Sequence, residues 1–259
     1  MKPNKMFLAV SRHETMERLG LVTSAPVLHD RYELRSIVGS GSFGVVFRAW
    51  DRVLERVVAI KHAETADLGE ARALAAIRHP CVVTIFDVSS APDGVILAME
   101  FLDGERLSDW IENDYLASAD VLEVFARLAE GVGAVHAAGL VHADLKPSNV
   151  IVTKRGPLLV DFGLAMSGVA GALKYMAPEV RRGGAPTALA DQYSFCLMLV
   201  ELIGPALRGR RARAVRRGLS PTPADRWPDM TALAQALRPQ RHRVGDILAR
   251  ILQQFERDS

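Results

Sequence analysis

The chain has 259 residues, of which 49% are hydrophobic and 24% are charged, a composition that predicts a packed core and excludes a disordered chain. Its formal net charge of +2 does not favour a nucleic acid as the partner. No apolar run approaches the roughly 20 residues that span a bilayer, and the first residues do not resemble a secretion signal, so we expect a cytoplasmic protein with no membrane partner.

Residues 1–30 are mixed in polarity and are interpreted as an N-terminal extension. Strand-like runs dominate from Tyr32 to about Phe101, namely "YELRSIV", "GVVFRAW", "RVVAIKH", "CVVTIFDV" and "VILAMEF". One helical run, "LGEARALAAIR", interrupts them and has Ala71, Leu74 and Ile77 on its apolar side. This part of the chain predicts a small, mostly-β lobe.

Helical patterns take over from Leu107 onward. The run "SADVLEVFARLAEGVGAVHAAG" has apolar residues at helical spacing, and "DQYSFCLMLVELIG" is apolar nearly all round, which is typical of a buried helix. We therefore predict an α+β protein with a mostly-β lobe over 31–102, a larger mostly-α lobe over 103–237 and a ligand cleft at the hinge. Cys81 and Cys196 lie in apolar surroundings and are predicted to be buried thiols.

A glycine-rich stretch, "GSGSFGVVF", places Gly39, Gly41 and Gly44 between two strand-like runs. Glycine lets backbone N–H groups approach a phosphate closely, although a hairpin turn has the same composition. No helix follows these glycines, which argues against a dinucleotide-binding fold. No Gly-Lys-Ser/Thr follows either, which argues against a Walker loop.

A lysine ends the strand-like run "VVAIK", and a carboxylate lies on the helix that comes next. A single lysine at a strand end, such as Lys61, is most often a surface residue. Glu70 favours another interpretation, because a lysine that binds phosphates needs a carboxylate to hold it in place.

The stretch "HADLKPSN" at 142–149 brings Asp144, Lys146 and Asn149 close together. Pro147 argues against a regular helix, so a rigid loop that aims several polar groups at one point is predicted. Asp161 follows an apolar strand in "LLVDFGLA", where it is either a turn residue or a ligand. Asn149 and Asp161 together supply two hard oxygens, which suit Mg²⁺.

In this order, these motifs resemble those of the eukaryotic-type (Hanks-type) serine/threonine protein kinases of bacteria, over about residues 31–237. The resemblance implies a bilobal protein-kinase-like fold, ATP as the phosphoryl donor, and a protein as the substrate. It implies that Asp144 accepts the substrate hydroxyl proton, that Lys146 and Lys61 neutralise phosphate charge, and that Asn149 and Asp161 hold Mg²⁺, with Mn²⁺ as an alternative. The implied ATP-binding residues are Gly39, Ser40, Gly41, Ser42, Gly44, Val46, Ala59, Lys61, Glu70, Met99, Glu100, Leu102 and Ile151.

The resemblance also implies roles for residues outside the nucleotide site. Asp191 matches the buried aspartate that anchors the catalytic loop, and Arg226 matches the arginine that pairs with the glutamate of "APE", Glu179. His142 is expected to pack beneath Phe162. Lysine at position 146 is similar to the serine/threonine class rather than to the tyrosine class.

The chain departs from the family pattern in its activation segment. Ala143 stands where many relatives carry an arginine that receives a loop phosphate, and Ser167 is the one serine or threonine in the segment from Asp161 to Glu179. Ala172 replaces a threonine that normally contacts the catalytic loop. We expect an active kinase that needs no segment phosphorylation; a nucleotide-binding pseudokinase scaffold is the alternative, and phosphorylation of a small molecule is a weaker one.

Two further stretches suggest contacts with partners. Six arginines lie between 208 and 217, where relatives have a longer segment. They form either a solvated helix face or a docking surface for an acidic protein or a nucleic acid. The tail at 238–259 carries an apolar stripe over 244–255 and is predicted to be an amphipathic helix. It either folds onto its own domain or contacts a partner or a second copy of the chain.

Overall fold

The computed structural model describes residues 27–41, 44–64, 67–91, 94–112, 118–162 and 173–238. They belong to two compact units. The first comprises the described residues up to Ala76 together with Thr84–Leu102, and the second comprises Ile77–Val83 and those from Asp103 onward. The predicted tail helix, most of the predicted N-terminal extension, Ser167 and Ala172 lie outside the described residues.

An antiparallel sheet makes up most of the first unit, with strand order β1-β2-β3-β4-β6-β5. Its strands and its helix are β1 (Val27–Leu28), β2 (Tyr32–Gly41), β3 (Gly44–Asp51), β4 (Arg56–Glu64), α1 (Leu68–Ala76), β5 (Ile85–Ala91) and β6 (Gly94–Glu100). β1 falls within the predicted extension and pairs with the start of β2. The mostly-β character predicted for this part of the chain is confirmed.

The register of this sheet separates an apolar face from the face that carries predicted site residues. Phe47 of β3 lies opposite Ile60 of β4, and Ile60 lies opposite Ala98 of β6, all within the buried core. Side chains alternate between faces along a strand. Val46 and Lys61, which also lie opposite each other, therefore share the face away from that core.

Helix α1 is slightly shorter than the helical run in the sequence. The Asp67 carboxylate caps its start by accepting the Glu70 N–H at 2.9 Å. Ala71 and Leu74 are buried, as predicted. Ile77 is also buried, but it lies just beyond the end of the helix.

The prediction of a strand throughout "CVVTIFDV" is wrong in its first half. The Cys81 N–H donates to His79 Nδ1 at 3.1 Å and the Val82 N–H to the His79 carbonyl at 3.0 Å, which makes a turn. Because the turn uses these backbone donors, Val82 makes only an isolated bridge, and the strand β5 begins at Ile85. Burial raises the pKa of the Cys81 thiol to about 11.

The second unit is mostly helical and carries a three-stranded sheet of order β7-β8-β9. Its elements are β7 (Gly104–Arg106), α2 (Leu107–Glu112), α3 (Ser118–Ala137), β8 (Val150–Thr153), β9 (Gly156–Leu159), α4 (Pro178–Arg181), α5 (Ala188–Ile203), α6 (Gly209–Gly218) and α7 (Met230–Leu237). The hairpin of β8 and β9 interrupts the helices predicted from Leu107 onward, and the catalytic loop leads directly into it.

The core of the second unit forms where the apolar face of α3 meets α5. Phe125 of α3 and Phe195 of α5 meet edge to face, with ring centroids 5.2 Å apart. Gly218 of α6 approaches α5 so closely that a Cβ there would lie 2.3 Å from Cys196 Sγ. Burial raises the pKa of this cysteine to about 12. Within the described ranges, no helix has both the length and the hydrophobicity needed to cross a membrane.

Candidate active site

The loop between α3 and β8 carries the predicted catalytic residues. It is irregular from Leu140 to Lys146 and ends in a short 3-10 helix, Pro147–Asn149. Proline is tolerated at the first position of such a helix because that position needs no N–H partner. The sequence-based expectation of a rigid, non-helical loop is therefore confirmed.

The Asp144 carboxylate is the buried centre of this loop, with 6% of the residue exposed. Its Oδ2 accepts a charge-assisted hydrogen bond from Lys146 Nζ at 2.6 Å and another from Asn149 Nδ2 at 2.9 Å. The same Asn149 nitrogen donates to the Asp144 carbonyl at 2.9 Å. Three predicted site residues thus meet at one carboxylate, and this contact fixes the orientation of that carboxylate.

Asp191, at the start of α5, anchors the loop between α3 and β8 through hydrogen bonds to its backbone. Its buried carboxylate accepts the backbone N–H groups of His142 at 2.8 Å and Ala143 at 2.9 Å. Ala143 has a φ of 64°, in the left-handed region that disfavours residues with a Cβ. The two hydrogen bonds compensate for this strain one residue before Asp144, as expected for the anchoring aspartate.

His136 of α3 completes the anchor and was not predicted as a functional residue. Its Nε2 lies 2.8 Å from Asp191 Oδ2. The sequence showed only a histidine on an apolar helix, six residues before His142. No local pattern connects His136 to a carboxylate 55 positions later.

His142 is fully buried and has a structural contact at each ring nitrogen. Nε2 donates to the Val160 carbonyl at 3.1 Å, while Nδ1 accepts the Asp144 N–H at 3.4 Å. Burial lowers the pKa of His142, so the ring is neutral. The ring packs 4.7 Å from that of Phe162, which confirms the predicted packing role.

The two predicted metal ligands come from neighbouring positions at the β8–β9 hairpin. The Val160 N–H donates to the Asn149 carbonyl at 3.0 Å, and Asp161 is the next residue. Asp161 is half-buried and has a φ of 55°. Among the described residues, no group of three or more His, Cys, Asp or Glu side chains could hold a metal by itself. Two oxygen ligands remain compatible with Mg²⁺, which takes its other ligands from waters and phosphates.

The predicted phosphate-binding residues lie in the first unit. Lys61 is 4% exposed in β4, with Val46 opposite it, and Ala59 lies opposite Met99 on the same face. Glu70 is half-buried on α1, and its pKa is raised by burial and then by the charge of Asp67. Among the described residues of the first unit, Lys61 and Glu70 do not form an ion pair with each other. Their pairing in the active state stays a prediction.

The remaining predicted nucleotide contacts are positioned by the two sheets. Gly39 lies opposite Val46, and Gly41 lies opposite Gly44 at the end of the β2–β3 hairpin. Glu100 ends β6, with its N–H donating to the Thr84 carbonyl at 2.9 Å. Leu102 follows in the first unit and Ile151 lies in β8 of the second; Ser42 is outside the described residues, as is the side chain of Ser40.

A cavity beside Asp144 is lined by Leu145 of the catalytic loop and by Tyr175, Met176 and Val180 from the segment before and within α4. Its walls are mostly apolar, and Asp144 is one of the residues that line it. The cavity has room for about one water-sized group, so it is a small depression beside Asp144. The sequence did not indicate the cavity, because its two walls are about thirty residues apart.

Hydrogen bonds and an ion pair with residues of α4 and α5 hold the segment that borders this cavity. Glu201 accepts the Tyr175 hydroxyl at 2.6 Å and forms an ion pair with Lys174. Ser194 Oγ donates to the Tyr175 carbonyl at 2.8 Å, and Arg181 Nη2 donates to the Lys174 carbonyl at 3.0 Å. Burial, and then the Glu201 contact, raises the pKa of Tyr175, so it stays a hydroxyl donor.

The predicted Arg226–Glu179 pair is confirmed. Arg226 Nη1 and Nη2 donate to the two Glu179 oxygens at 2.7 and 2.8 Å, and the arginine side chain is 0% exposed. Arg226 also donates to the carbonyls of Leu189 and Ser220 at 2.8 and 2.9 Å. Burial alone would raise the pKa of Glu179, but the Arg226 guanidinium outweighs it, so this pKa lies below its usual range.

The fold and the catalytic loop identify the class of protein. The profile of the protein kinase domain family matches residues 32–211, and the chain belongs to this family. The fold is also similar to the crystal structure of the Mycobacterium tuberculosis PknI kinase domain, with a TM-score of 0.69 and 24% identity, covering 83% of this chain and 98% of that one. The predicted α+β protein-kinase fold is confirmed.

Curated relatives are serine/threonine-protein kinases from bacteria. The chain is 34% identical to pkn2 of Myxococcus xanthus over 214 residues, covering 72% of this chain and 26% of that protein. It is 32% identical to PknB of Mycolicibacterium smegmatis over 211 residues, covering 70% and 34%, respectively. PrkC of Bacillus subtilis is 29% identical over 195 residues, covering 67% and 30%. The chain thus spans about a quarter to a third of the length of these relatives.

Proposed function

We propose that this domain is a serine/threonine protein kinase, which transfers the γ-phosphoryl group of ATP to a hydroxyl group of a protein. The observation that carries the proposal is the Asp144 carboxylate, oriented by Lys146 and Asn149 in a loop that Asp191 anchors. Membership of the protein kinase domain family and the names of the bacterial relatives support the same reaction.

Asp144 acts as the base that orients the substrate hydroxyl and accepts its proton. A general base must lie within hydrogen-bond reach of that proton. Asp144 lines a small, mostly apolar cavity, beside which the acceptor residue is proposed to bind. Lys146 holds the carboxylate in the free enzyme at 2.6 Å and can turn toward the transferred phosphoryl group to neutralise its charge. Most of the catalysis is therefore positioning and electrostatic stabilisation.

Asn149 and Asp161 are the proposed ligands of Mg²⁺, for which Mn²⁺ is an alternative. The Asn149 amide nitrogen is used by Asp144, which leaves its oxygen as the ligand atom. Bound Mg²⁺ supplies positive charge that neutralises the phosphates. Asp161 follows Val160, whose N–H is bonded to Asn149, so the two ligands are held at adjacent backbone positions.

Residues of the first unit are proposed to bind ATP. Lys61, held by Glu70 in the active state, contacts the phosphates, and the backbone of the β2–β3 hairpin covers them. Ala59 and Met99 lie side by side and are both 7% exposed, which suits an apolar wall for the adenine ring. A cytoplasmic location is part of this proposal, because the reaction consumes ATP.

The kinase domain is proposed to span residues 31–237, beyond the family match that ends at 211. Arg226 supports this extent because it pairs with Glu179, which lies inside the matched region. Trp227 gives further support: its N–H donates to Gln192 Oε1 of α5 at 2.9 Å. The late helices therefore belong to the same packed unit.

The test is transfer of phosphate from γ-labelled ATP to a generic basic protein, followed by mass spectrometry of the product. We expect phosphoserine or phosphothreonine, dependent on Mg²⁺ and absent with Asp144→Ala. Binding of ATP without transfer would favour the pseudokinase scaffold. Phosphotyrosine, or transfer that survives Asp144→Ala, would refute the proposed reaction.

A further inference from the structure

The six arginines from Arg208 to Arg217 fall on helix α6 and the residue before it; we call this group the arginine helix. The family match ends at Arg211, so three of the six arginines lie beyond it. The buried side of α6 is formed by Ala214, Val215 and Gly218. The proposed reaction assigns no role to the arginines.

Four of the six arginines bind backbone carbonyls of their own domain. Arg210 and Arg211 donate to the last carbonyls of α7 at 2.9 and 3.2 Å, and cations are favourable at a helix C-terminus. Arg217 stacks 4.3 Å from the centre of the Trp227 ring and donates to two carbonyls, and Arg208 donates to the carbonyls of Pro205 and Leu207. These four arginines therefore have structural roles.

Arg213 and Arg216 differ from the other four. Both are exposed, and in the part of the chain that the structure describes neither side chain makes a hydrogen bond or an ion pair. Residues three positions apart lie on one side of a helix, with Cβ atoms about 5–6 Å apart. Two guanidinium groups therefore point to solvent side by side, and like charges at this spacing destabilise a helix.

The carboxylates near the arginine helix do not neutralise it. Within residues 173–238, no carboxylate forms an ion pair with any of the six arginines. Asp229 instead caps α7 by accepting the Ala232 N–H at 2.7 Å, and Glu130 pairs with Arg238. The surface keeps a concentrated positive charge on a chain whose formal net charge is only +2.

We propose that Arg213 and Arg216 form a docking surface for an Asp/Glu-rich, extended segment of a protein. In such a segment alternate side chains lie on one side, about 6.6 Å apart at 3.3 Å per residue. This spacing is about 1 Å longer than the Cβ separation of the two arginines, a difference that their long side chains can span. Carboxylates also match the guanidinium fork. If the segment belongs to the substrate, the surface also raises the affinity of the kinase for it; that step rests on the proposed function.

The chemistry favours an acidic protein over a nucleic acid. An α-helix of 10 residues, such as α6, is only about 15 Å long. Nucleic-acid binding depends on many neutralised phosphates, and four of the six arginines are already held by carbonyls. Trp227, the aromatic residue next to the helix, is covered by Arg217.

Binding is measured by fluorescence anisotropy, without ATP, using a labelled peptide of five Glu-Gly repeats. We expect Arg213→Gln/Arg216→Gln to weaken binding about three- to tenfold, as for two partly exposed ion pairs. The matched control is Arg52→Gln/Arg72→Gln, which removes the same charge from exposed positions of the first unit and should bind like the unaltered protein. Asp144→Ala should also bind normally, so that a failure of the proposed catalysis does not affect this test.

Thermal unfolding separates docking from folding. The Arg213→Gln/Arg216→Gln variant should unfold at an unchanged temperature, because neither side chain makes an intramolecular bond within the described residues. Arg211→Gln should instead lower it, through loss of the α7 carbonyl contact. Equal peptide affinity in the docking variant and the unaltered protein would overturn the proposal. Binding of a labelled 20-nucleotide single strand in preference to the peptide would overturn it as well.

A substrate experiment then tests the catalytic consequence. Two acceptor peptides share one serine and differ in an appended segment of Glu-Gly or Gln-Gly repeats. The acidic peptide should have the lower KM with the unaltered enzyme, at equal kcat. The double glutamine variant should raise this KM to that of the Gln-Gly peptide. Equal KM values for both peptides with the unaltered enzyme would restrict the surface to non-substrate proteins and overturn its role in substrate recognition.

Discussion

The Asp191 carboxylate accepts the backbone N–H of Ala143 at 2.9 Å. Ala143 has a φ of 64°, which disfavours every residue with a Cβ atom. The strain and the bond that compensates for it lie one residue before Asp144, whose carboxylate is the proposed base. The orientation of Asp144 therefore depends on the Asp191 carboxylate, a buried group of which 2% of the residue is exposed.

Asp191→Ala should destabilise the fold and remove most of the activity. It leaves the backbone donors of His142 and Ala143 and the His136 ring without their acceptor, at about 1–3 kcal/mol for each unsatisfied group. We expect a loss of about 3 kcal/mol in the free energy of unfolding, measured with urea. Unchanged stability would contradict an anchoring role.

Ala143→Gly should partly rescue the Asp191→Ala variant. Glycine adopts a φ of 64° without strain, so the loop needs less help from the anchor. The measurement is kcat in the double variant compared with Asp191→Ala alone. Ala185→Gly in an exposed loop is the matched control; an equal recovery from it would rule out relief of strain at Ala143.

Arg226→Ala should be among the most destabilising substitutions of buried residues in the second unit. Removing one partner of a buried pair costs about 3–5 kcal/mol. We expect the lower end of this range, because Arg226 is fully buried but the Glu179 side chain is 20% exposed and can be hydrated. Arg182→Ala is the control, since that exposed side chain donates only to the Pro178 carbonyl. A melting temperature unchanged in Arg226→Ala would show that the pair does not stabilise the protein.

The same pair predicts a dependence of stability on pH. The pKa of Glu179 is lowered in the folded state, so its ionised form stabilises the fold above the unfolded pKa of about 4.3. This contribution is lost as the pH falls through the folded-state value. The unaltered protein should therefore lose stability relative to Glu179→Gln on acidification below about pH 5; parallel curves would contradict the assignment.

Activity should not require phosphorylation of the activation segment. Ala143 provides no cation for a loop phosphate, and the end of the segment is already held by Glu201, Ser194 and Arg181. At saturating ATP we expect the same turnover from untreated enzyme, phosphatase-treated enzyme and Ser167→Ala. Glu201→Gln should lower turnover by weakening the contact with Lys174. A large loss in both phosphatase-treated and Ser167→Ala enzyme would refute this account.

Lys61→Met should abolish turnover with little change in stability. Methionine keeps the apolar length of the buried side chain but removes the charge that would contact the phosphates. Glu70→Gln should act in the same direction if the two residues pair in the active state. Full activity of Lys61→Met would contradict the assignment of this lysine.

The sequence predicted most of what depends on local pattern. The alternation around Phe47 and Ile60 predicted strands correctly, and Pro147 predicted the irregular loop. The same rule failed at Cys81–Thr84, where an apolar run satisfies its backbone in a turn and a bridge rather than a strand. A hydrophobic pattern predicts which side chains are buried, but it does not predict which groups the backbone N–H and C=O groups bind.

The contacts that hold the site could not be derived from local pattern. His136 lies 55 residues from Asp191, and Tyr175 lies 26 residues from Glu201, so no periodicity links either pair. The Asp191 and Arg226 contacts were anticipated only because the motifs resemble a known family. The arginine run likewise indicated charge alone. Its division into four structural arginines and two solvent-facing ones depends on where the last carbonyls of α7 lie.

Single-turnover transfer from ATP to a protein acceptor, compared between the unaltered enzyme and Asp144→Asn, tests the central claim most directly. Asparagine keeps the shape of the side chain and an acceptor for Lys146 and Asn149, but it cannot take the hydroxyl proton. If Asp144 is the base, the transfer rate should fall about 10²–10⁴-fold while the affinity for ATP stays the same. A rate within about threefold of the unaltered enzyme would contradict the role of Asp144 as the base, and with it the proposed reaction mechanism.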